Sequence, residues 1–472
     1  MNRGIMNRRD FLRAGVAFSV GAMACRGLDA AGPKAPAKPN IILILADDQG
    51  WNALSVPADP KVPGSGSTYY QTPRLAKFAG EGMRFSQAYS PAPTCSPTRY
   101  SIQFGRSPAS LKIWGADSIG KKIDAKAGDS LANCLKSLRP EYSCAHLGKW
   151  HVAFKPNELG YDVHTGGDAN LQSKDPKDPK FIFSLTEKAN AFMAKQVKAK
   201  RPFFLQISHY ADHLRYAALG ETIKKYKTKR ADKATKYQHN PLWAAMNENL
   251  DTGIGMVLDK IDELGIRDNT YVIYTADNGY EAKKDFGKPV DKRGYYKAYP
   301  QRSHKYHVSE GGIRVPFIVR GPGIPVNTHS PTPVVGTDVF PTVMDIIGGR
   351  SKTPEKVEGA SLLAHLKSGA KIPVDRKDPF LVFKYSKPRL PHDIAIVQGD
   401  YKLIKDVDTG EVFLFNLKKD IGESNNLAEE TPELATRMYK DMTAYFKRFG
   451  WSESRIADVK RKRRKDGKKA QK

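Results

Sequence analysis

The sequence predicts an α/β protein, in which a large doubly wound mixed sheet flanked by helices is followed by a smaller antiparallel sheet with one helix. Three observations carry this. Uncharged, β-branched runs recur between residues 40 and 320, and such runs are strands buried on both faces, as in parallel sheets. Segments of helical spacing alternate with them, the order that wraps helices around a sheet. Beyond about residue 370 the runs shorten and tight turns separate them, the texture of an antiparallel sheet. With 472 residues, 40% of them hydrophobic, the chain holds enough apolar material for such a core, and wholesale disorder is excluded.

The first buried run is Asn40 to Ala46. A helix is expected over Asp129 to Leu138, and a short strand over Tyr142 to Leu147. Helical spacing returns from Leu185 to Lys200, followed by a strand at Pro202 to Ser208. Trp243 to Leu264 reads as a long amphipathic helix, and Thr270 to Thr275 and Val315 to Val319 as further strands. In the C-terminal part Phe380 to Tyr385, Ile394 to Gln398, Tyr401 to Lys405 and Val412 to Asn416 read as strands, and Glu433 to Phe449 as a helix. The chain thus divides into a leader (1–31), a main α/β domain (32–370), a C-terminal subdomain (371–450) and a tail (451–472).

The leader has the build of an export signal: Arg8-Arg9, then Phe11-Leu12, an uncharged run from Ala14 to Cys25, and small residues at Ala30-Ala31. The paired arginines resemble a twin-arginine signal, which predicts an exported protein, periplasmic or secreted, with the export machinery as a partner. No uncharged stretch reaches the ~18 apolar residues of a membrane span, so stable insertion is not expected. The tail from Lys460 to Lys472 is basic and reads as disordered. Four cysteines exclude a disulfide scaffold, and the lack of a Cys-x-x-Cys pair excludes a cysteine-rich zinc site.

Two buried strands end in hard oxygen ligands, the first in Asp47-Asp48 and the second in Asp277-Asn278-Gly279. Ligands of an open parallel sheet bind at the carboxyl ends of its strands. Either pair alone is what a helix cap looks like. Together they bring three carboxylates and an amide oxygen to one place, where they repel unless a cation lies between them; such oxygens suit Ca²⁺ or Mg²⁺. A second feature is Cys95-Ser96-Pro97-Thr98-Arg99, whereas Cys134 and Cys144 read as buried structural cysteines, with a pairing of the two after export left open by the sequence.

This second segment resembles the signature of the formylglycine-dependent (type I) sulfatases, arylsulfatase-like members of the alkaline-phosphatase superfamily. Similar flanks follow in one order: Asp47-Asp48-Gln49-Gly50-Trp51, Thr72-Pro73-Arg74-Leu75, Gly148-Lys149-Trp150-His151, Thr275-Ala276-Asp277-Asn278-Gly279, Glu310-Gly311-Gly312-Ile313-Arg314 and Gly399-Asp400-Tyr401-Lys402-Leu403. Arg74 and Ala76 depart from the family's usual Asn and Asp, and Ile421 stands where a proline is common.

The resemblance implies an alkaline-phosphatase-like fold and oxidation of Cys95 to formylglycine by a formylglycine-generating enzyme. Ca²⁺ would be held by Asp47, Asp48, Asp277 and Asn278 together with the modified Cys95. Arg99 would steady residue 95, Lys149 and Lys305 would neutralise the sulfate oxygens, and His151 would take a proton during sulfate release. His213 is expected as the leaving-group acid, with His209 and His146 structural. The expected partner is a sulfated glycan, a polysaccharide or its oligosaccharides; a phosphonate or phosphate monoester is the alternative. The formal charge of +27 suits such a polyanion. It would suit nucleic acid as well, but an exported protein meets little of that, and no nucleic-acid partner is expected.

Overall fold

A computed structural model of the chain describes residues 38–113, 123–165, 170–230, 240–281, 297–298, 300–385 and 393–452. The leader, nearly all of the tail, residues 231–239 of the basic stretch after Tyr226 and most of the segment from Lys283 to Gln301 lie outside the described residues.

Asn40–Ala46 forms β1, buried along its whole length. Seven further strands join it: β2 (Met83–Phe85), β3 (Ser143–Gly148), β4 (Val163–His164), β5 (Phe203–Ser208), β6 (Thr270–Ala276), β7 (Phe317–Arg320) and β8 (Thr328–Ser330). They form one eight-stranded sheet in the order β8-β2-β7-β6-β1-β5-β3-β4. The central strands β6, β1, β5 and β3 are parallel, and β7 runs antiparallel beside β6, so the sheet is mixed.

The uninterrupted apolar runs follow from two covered faces. Ile42, Ile44, Ile207, Val272 and Tyr274 pack under α1 (Pro73–Gly80), α4 (Ile182–Lys198) and α6 (Pro241–Glu263), with α5 (Gly220–Thr228) lying against α6. Ile41, Leu43, Leu45, Phe204 and Ile273 face α2 (Cys95–Phe104), α3 (Leu131–Leu138) and α7 (Val339–Ile346) on the other side. Each such side chain contributes about 1.5–3 kcal/mol on burial. Helix α7 carries Pro341 in its first turn, where the missing N–H costs little but hides the helix from a reading by periodicity.

The C-terminal strands β9 (Leu381–Tyr385), β10 (Asp393–Gln398), β11 (Tyr401–Asp406) and β12 (Val412–Asn416) form an antiparallel meander. Ile394, Ile396, Leu403 and Leu414 meet Met438 and Met442 of α8 (Pro432–Arg448). The alternate residues Ala395, Val397 and Ile404 meet Tyr89, Val308 and Ile313 of the main domain. A buried charge cluster crosses the same seam. Lys402 Nζ lies 2.8 Å from Glu310 and 2.8 Å from Glu423, while Arg314 bonds Glu310 at 2.8 Å. Glu423 in turn accepts from the Glu310 backbone N–H at 2.9 Å. A Cβ on Gly312 would stand 2.0 Å from the His307 carbonyl, so the loop carrying Lys305 lies directly on the short helix that Glu310 begins.

Candidate active site

Strand register builds the site. Ala46 pairs with Ala276, so the next residues, Asp47 and Asp277, leave the sheet side by side. Gly148 pairs with Ser208, which sets Lys149 beside the β5 exit. Gly148 has φ 96°, and a Cβ there would lie 2.0 Å from the Ser208 carbonyl, so only glycine lets these strand ends close up. Asp277 N donates to the Ala46 carbonyl at 3.1 Å, and Asp48 N to Asp277 Oδ1 at 3.0 Å. Asp48 stands at φ 58°, in the left-handed region, and its Oδ1 accepts from Asn278 Nδ2 at 2.6 Å.

Three cations neutralise the three carboxylates. Lys149 Nζ bonds Asp47 Oδ2 at 2.6 Å, and Lys305 Nζ bonds Asp48 Oδ2 at 2.9 Å. Arg99 places Nε and Nη2 on Asp277 Oδ2 at 2.9 and 2.7 Å, and its Nη1 on the Lys149 carbonyl at 2.6 Å. Arg99 therefore orients Asp277 and the Lys149 backbone; its hydrogen bonds do not go to Cys95. Burial pushes the Asp47 carboxyl up, but Lys149, His213 and Arg99 outweigh it and hold it below the usual range. Burial lowers the Lys149 and Lys305 ammoniums while Asp47 and Asp48 raise them, and the carboxylates win in both cases.

Cys95 is the first residue of α2 and donates its thiol to Asp48 Oδ1 at 3.8 Å. Burial pushes this thiol up, so as a cysteine it stays protonated and is a poor nucleophile. Cys134 and Cys144 are both free. His213 Nε2 lies 3.7 Å from Asp48 Oδ2 and 3.9 Å from Glu281 Oε2, at the open side of the cluster. His151, half-buried at φ 58°, is pushed down to about 2 by burial and then by the Lys149 and Arg99 charges. His209 is fully buried, and neither ring nitrogen has a hydrogen-bond partner among the described residues. His146 bonds Ser208 Oγ at 3.1 Å and stacks edge-on with Trp150 and Tyr161, a packing role.

Direct contact thus unites Asp47, Asp48, Cys95, Arg99, Lys149, Asp277, Asn278 and Lys305, with His213 beside Asp48; His151 joins through the field of its neighbours. Two participants were missed by sequence reasoning. Glu281 accepts from Lys305 Nζ at 3.2 Å and from the Tyr306 hydroxyl at 2.9 Å. Lys180, from a distant segment, reaches the backbone around His213. For Glu281 the one available signal is its place two residues after Gly279.

The donor set fits a hard cation. Cys95 Sγ and one oxygen each from Asp47, Asp48 and Asp277 lie within 4.8 Å of one another. Asp47 Oδ1 and Asn278 Oδ1 are buried and accept no hydrogen bond among the described residues. Buried oxygens without donors are what an oxygen-seeking ion satisfies. With three cations facing three carboxylates the cluster is near neutral, and a bound divalent ion would make it a receptor for an anion.

A family model described as Sulfatase matches residues 39–349, and one described as N-sulphoglucosamine sulphohydrolase, C-terminal, matches residues 301–448. The chain is similar to a protein named Sulfatase from Formosa agariphila, 25% identical with 86% of this chain and 88% of the relative covered. It is also similar to the Ulvan-active sulfatase of that organism, 25% identical over 85% of this chain and 79% of the relative. Among solved structures it matches Ps i-CgsB in complex with k-i-k-neocarrahexaose, with a TM-score of 0.72 and 23% identity, covering 87% of this chain and 93% of that one.

Proposed function

The chain belongs to the sulfatase family and is a sulfuric ester hydrolase, and on that premise we propose that it removes sulfate from a sulfated carbohydrate, a polysaccharide or its oligosaccharides. The observation that carries this reading is the convergence of Cys95 with three carboxylates between two buried lysines. The carbohydrate is supported by the ulvan activity in one relative's name, the neocarrahexaose bound by a structural neighbour, and the surplus of +27.

Residue 95 would act as formylglycine made from Cys95 by a formylglycine-generating enzyme; hydrated, that aldehyde supplies one hydroxyl to attack sulfur and a second to expel sulfate. Asp47, Asp48, Asp277 and Asn278 would hold Ca²⁺, which supplies positive charge to the sulfate oxygens. Lys149 and Lys305 add point charges on the same oxygens. Arg99 keeps Asp277 in place for this task. His151, two residues after Lys149 and with Nδ1 unpartnered among the described residues, takes the proton of the second hydroxyl. His213, at the open side, gives a proton to the bridging oxygen as the sugar leaves.

The test is sulfate release by purified enzyme from a panel of sulfated glycans, run beside aryl phosphate and phosphonate esters. Release from one glycan class is expected, and faster turnover of phosphate or phosphonate would overturn the reading. Export is the further part of the proposal. Arg8 and Arg9 changed to Lys should leave the precursor in the cytoplasm, and undiminished export would refute a twin-arginine route. No helix among the described residues is long and apolar enough to cross a membrane.

A further inference from the structure

Lys180 is a lysine in an unusual place. It is 1% exposed, on a short turn before α4 where both Lys180 and Phe181 hold positive φ, 59° and 55°. Consecutive left-handed residues that are not glycine are strained, and strain of this kind persists only where the surroundings enforce it. Among the described residues its ammonium forms no ion pair. It is held instead by oxygens, the His213 carbonyl at 2.9 Å, the Arg215 carbonyl at 3.4 Å and Gln172 Oε1 at 3.5 Å. A buried ammonium served by carbonyls in place of a carboxylate is costly, so its gain must come from what it fixes.

What it fixes is the backbone on both sides of Leu214, immediately after His213. The His213 imidazole is held only loosely: Nδ1 contacts the neighbouring Leu214 carbonyl, and Nε2 stands 3.7 Å from Asp48 and 3.9 Å from Glu281. The loop follows β5 directly and carries residues 39% exposed such as Leu214, so the ring's position depends on how its main chain is tied down. Lys180 itself is too buried to touch a substrate.

We propose that Lys180 is a positioning residue for the leaving-group acid, aiming His213 at the bridging oxygen by clamping the two carbonyls that flank Leu214. This rests on the reading of His213 as that acid. A misplacement of about 1 Å can cost on the order of 10²-fold in rate.

The experiment measures kcat/KM for a series of substituted phenyl sulfates of graded leaving-group pKa. The enzymes are wild type, Lys180→Met, Lys180→Gln, His213→Ala and the Lys180→Met/His213→Ala double variant. Loss of a general acid steepens the dependence on leaving-group pKa, because poor leaving groups need the proton most. Lys180→Met is expected to lose about 10–100-fold on the poorest leaving group and much less on 4-nitrophenyl sulfate. The double variant should be no steeper than His213→Ala alone. A steep His213→Ala line with a parallel Lys180→Met line would overturn the proposal while leaving His213 as the acid. A His213→Ala line parallel to wild type would remove that reading and the proposal with it. Should Lys180→Met fail to fold, Lys180→Gln is scored by the same slope.

Discussion

Lys305 Nζ lies 2.8 Å from Asp48 Oδ1, and neither side chain is more than 3% exposed. Lys149 stands in the same relation to Asp47 at 2.6 Å. Each lysine is bonded to a carboxylate that a hard cation would also claim, so cation binding and lysine placement are coupled. A bound ion would draw the carboxylates and free the ammoniums for a sulfate. Lys305 would keep Glu281 as a second acceptor at 3.2 Å.

This coupling predicts a stability effect independent of turnover. Ca²⁺ should raise Tm, by about 2.7 kcal/mol of added stability at a hundredfold excess over Kd. Asp277→Asn should abolish that rise, and activity should fall at least 10²-fold. Identical wild-type melting in Ca²⁺ and in chelator would refute the assignment.

Peptide mass spectrometry of active enzyme should find residue 95 about 18 Da lighter than cysteine, the mark of an aldehyde in place of a thiol. Cys95 is only 4% exposed, so a modifying enzyme would have to reach it before the fold closes. Full activity with an unmodified thiol would overturn the mechanism.

His213→Ala should reduce kcat/KM on a sugar sulfate by about 10²–10⁴-fold, and far less on a nitrophenyl sulfate, which leaves without help. His209→Ala should affect both alike. Selective loss in the His209 variant would exchange the two assignments.

Acid should weaken the fold through histidines that are neutral when folded. Burial lowers His209 to about 4. Below the unfolded value near 6.5 the unfolded chain binds the extra proton, so stability falls with pH until about 4. His209→Leu should therefore gain about 2 kcal/mol over wild type at pH 5 relative to pH 7.5, at roughly 1.4 kcal/mol per pH unit. Equal differences in denaturant unfolding at the two pH values would show that His209 takes up its proton as readily in the fold as in the unfolded chain.

Salt should weaken binding of a long sulfated polysaccharide much more than that of a small aryl sulfate, since exposed charges are screened over ~8–10 Å. Equal responses in KM would mean that the surface charge takes no part in recognition.

The central sheet was legible because burial on both faces leaves long apolar runs such as Asn40 to Ala46 and Thr270 to Ala276. Asp47 and Asp277 were legible because each ends such a run. Their adjacency was not, for it depends on the pairing of Ala46 with Ala276, residues 230 apart in the chain. Lys305 sits between positive-φ residues Ser303 and Tyr306, where no periodicity exists, and only the family resemblance marked it. Glu281 and Lys180 act through contacts between segments that sequence leaves unconnected. Arg99 was found by its motif, but its partners Asp277 and Lys149 were visible only in the folded chain.

The buried cluster of Glu310, Lys402 and Glu423 has a consequence for how the enzyme is made. A ribosome synthesises Asp47, Cys95, Lys149 and Asp277 long before Lys402 and Glu423 emerge. Until then Glu310 lacks one of its two cations and the cap on its backbone N–H, and the loop bearing Lys305 rests on an unsecured support. The support under Lys305 is therefore completed only when Lys402 and Glu423, both in the last sixth of the polypeptide, have joined the fold. Trimming the chain near residue 370 would remove Lys402 and Glu423 and leave Glu310 buried beside Arg314 alone.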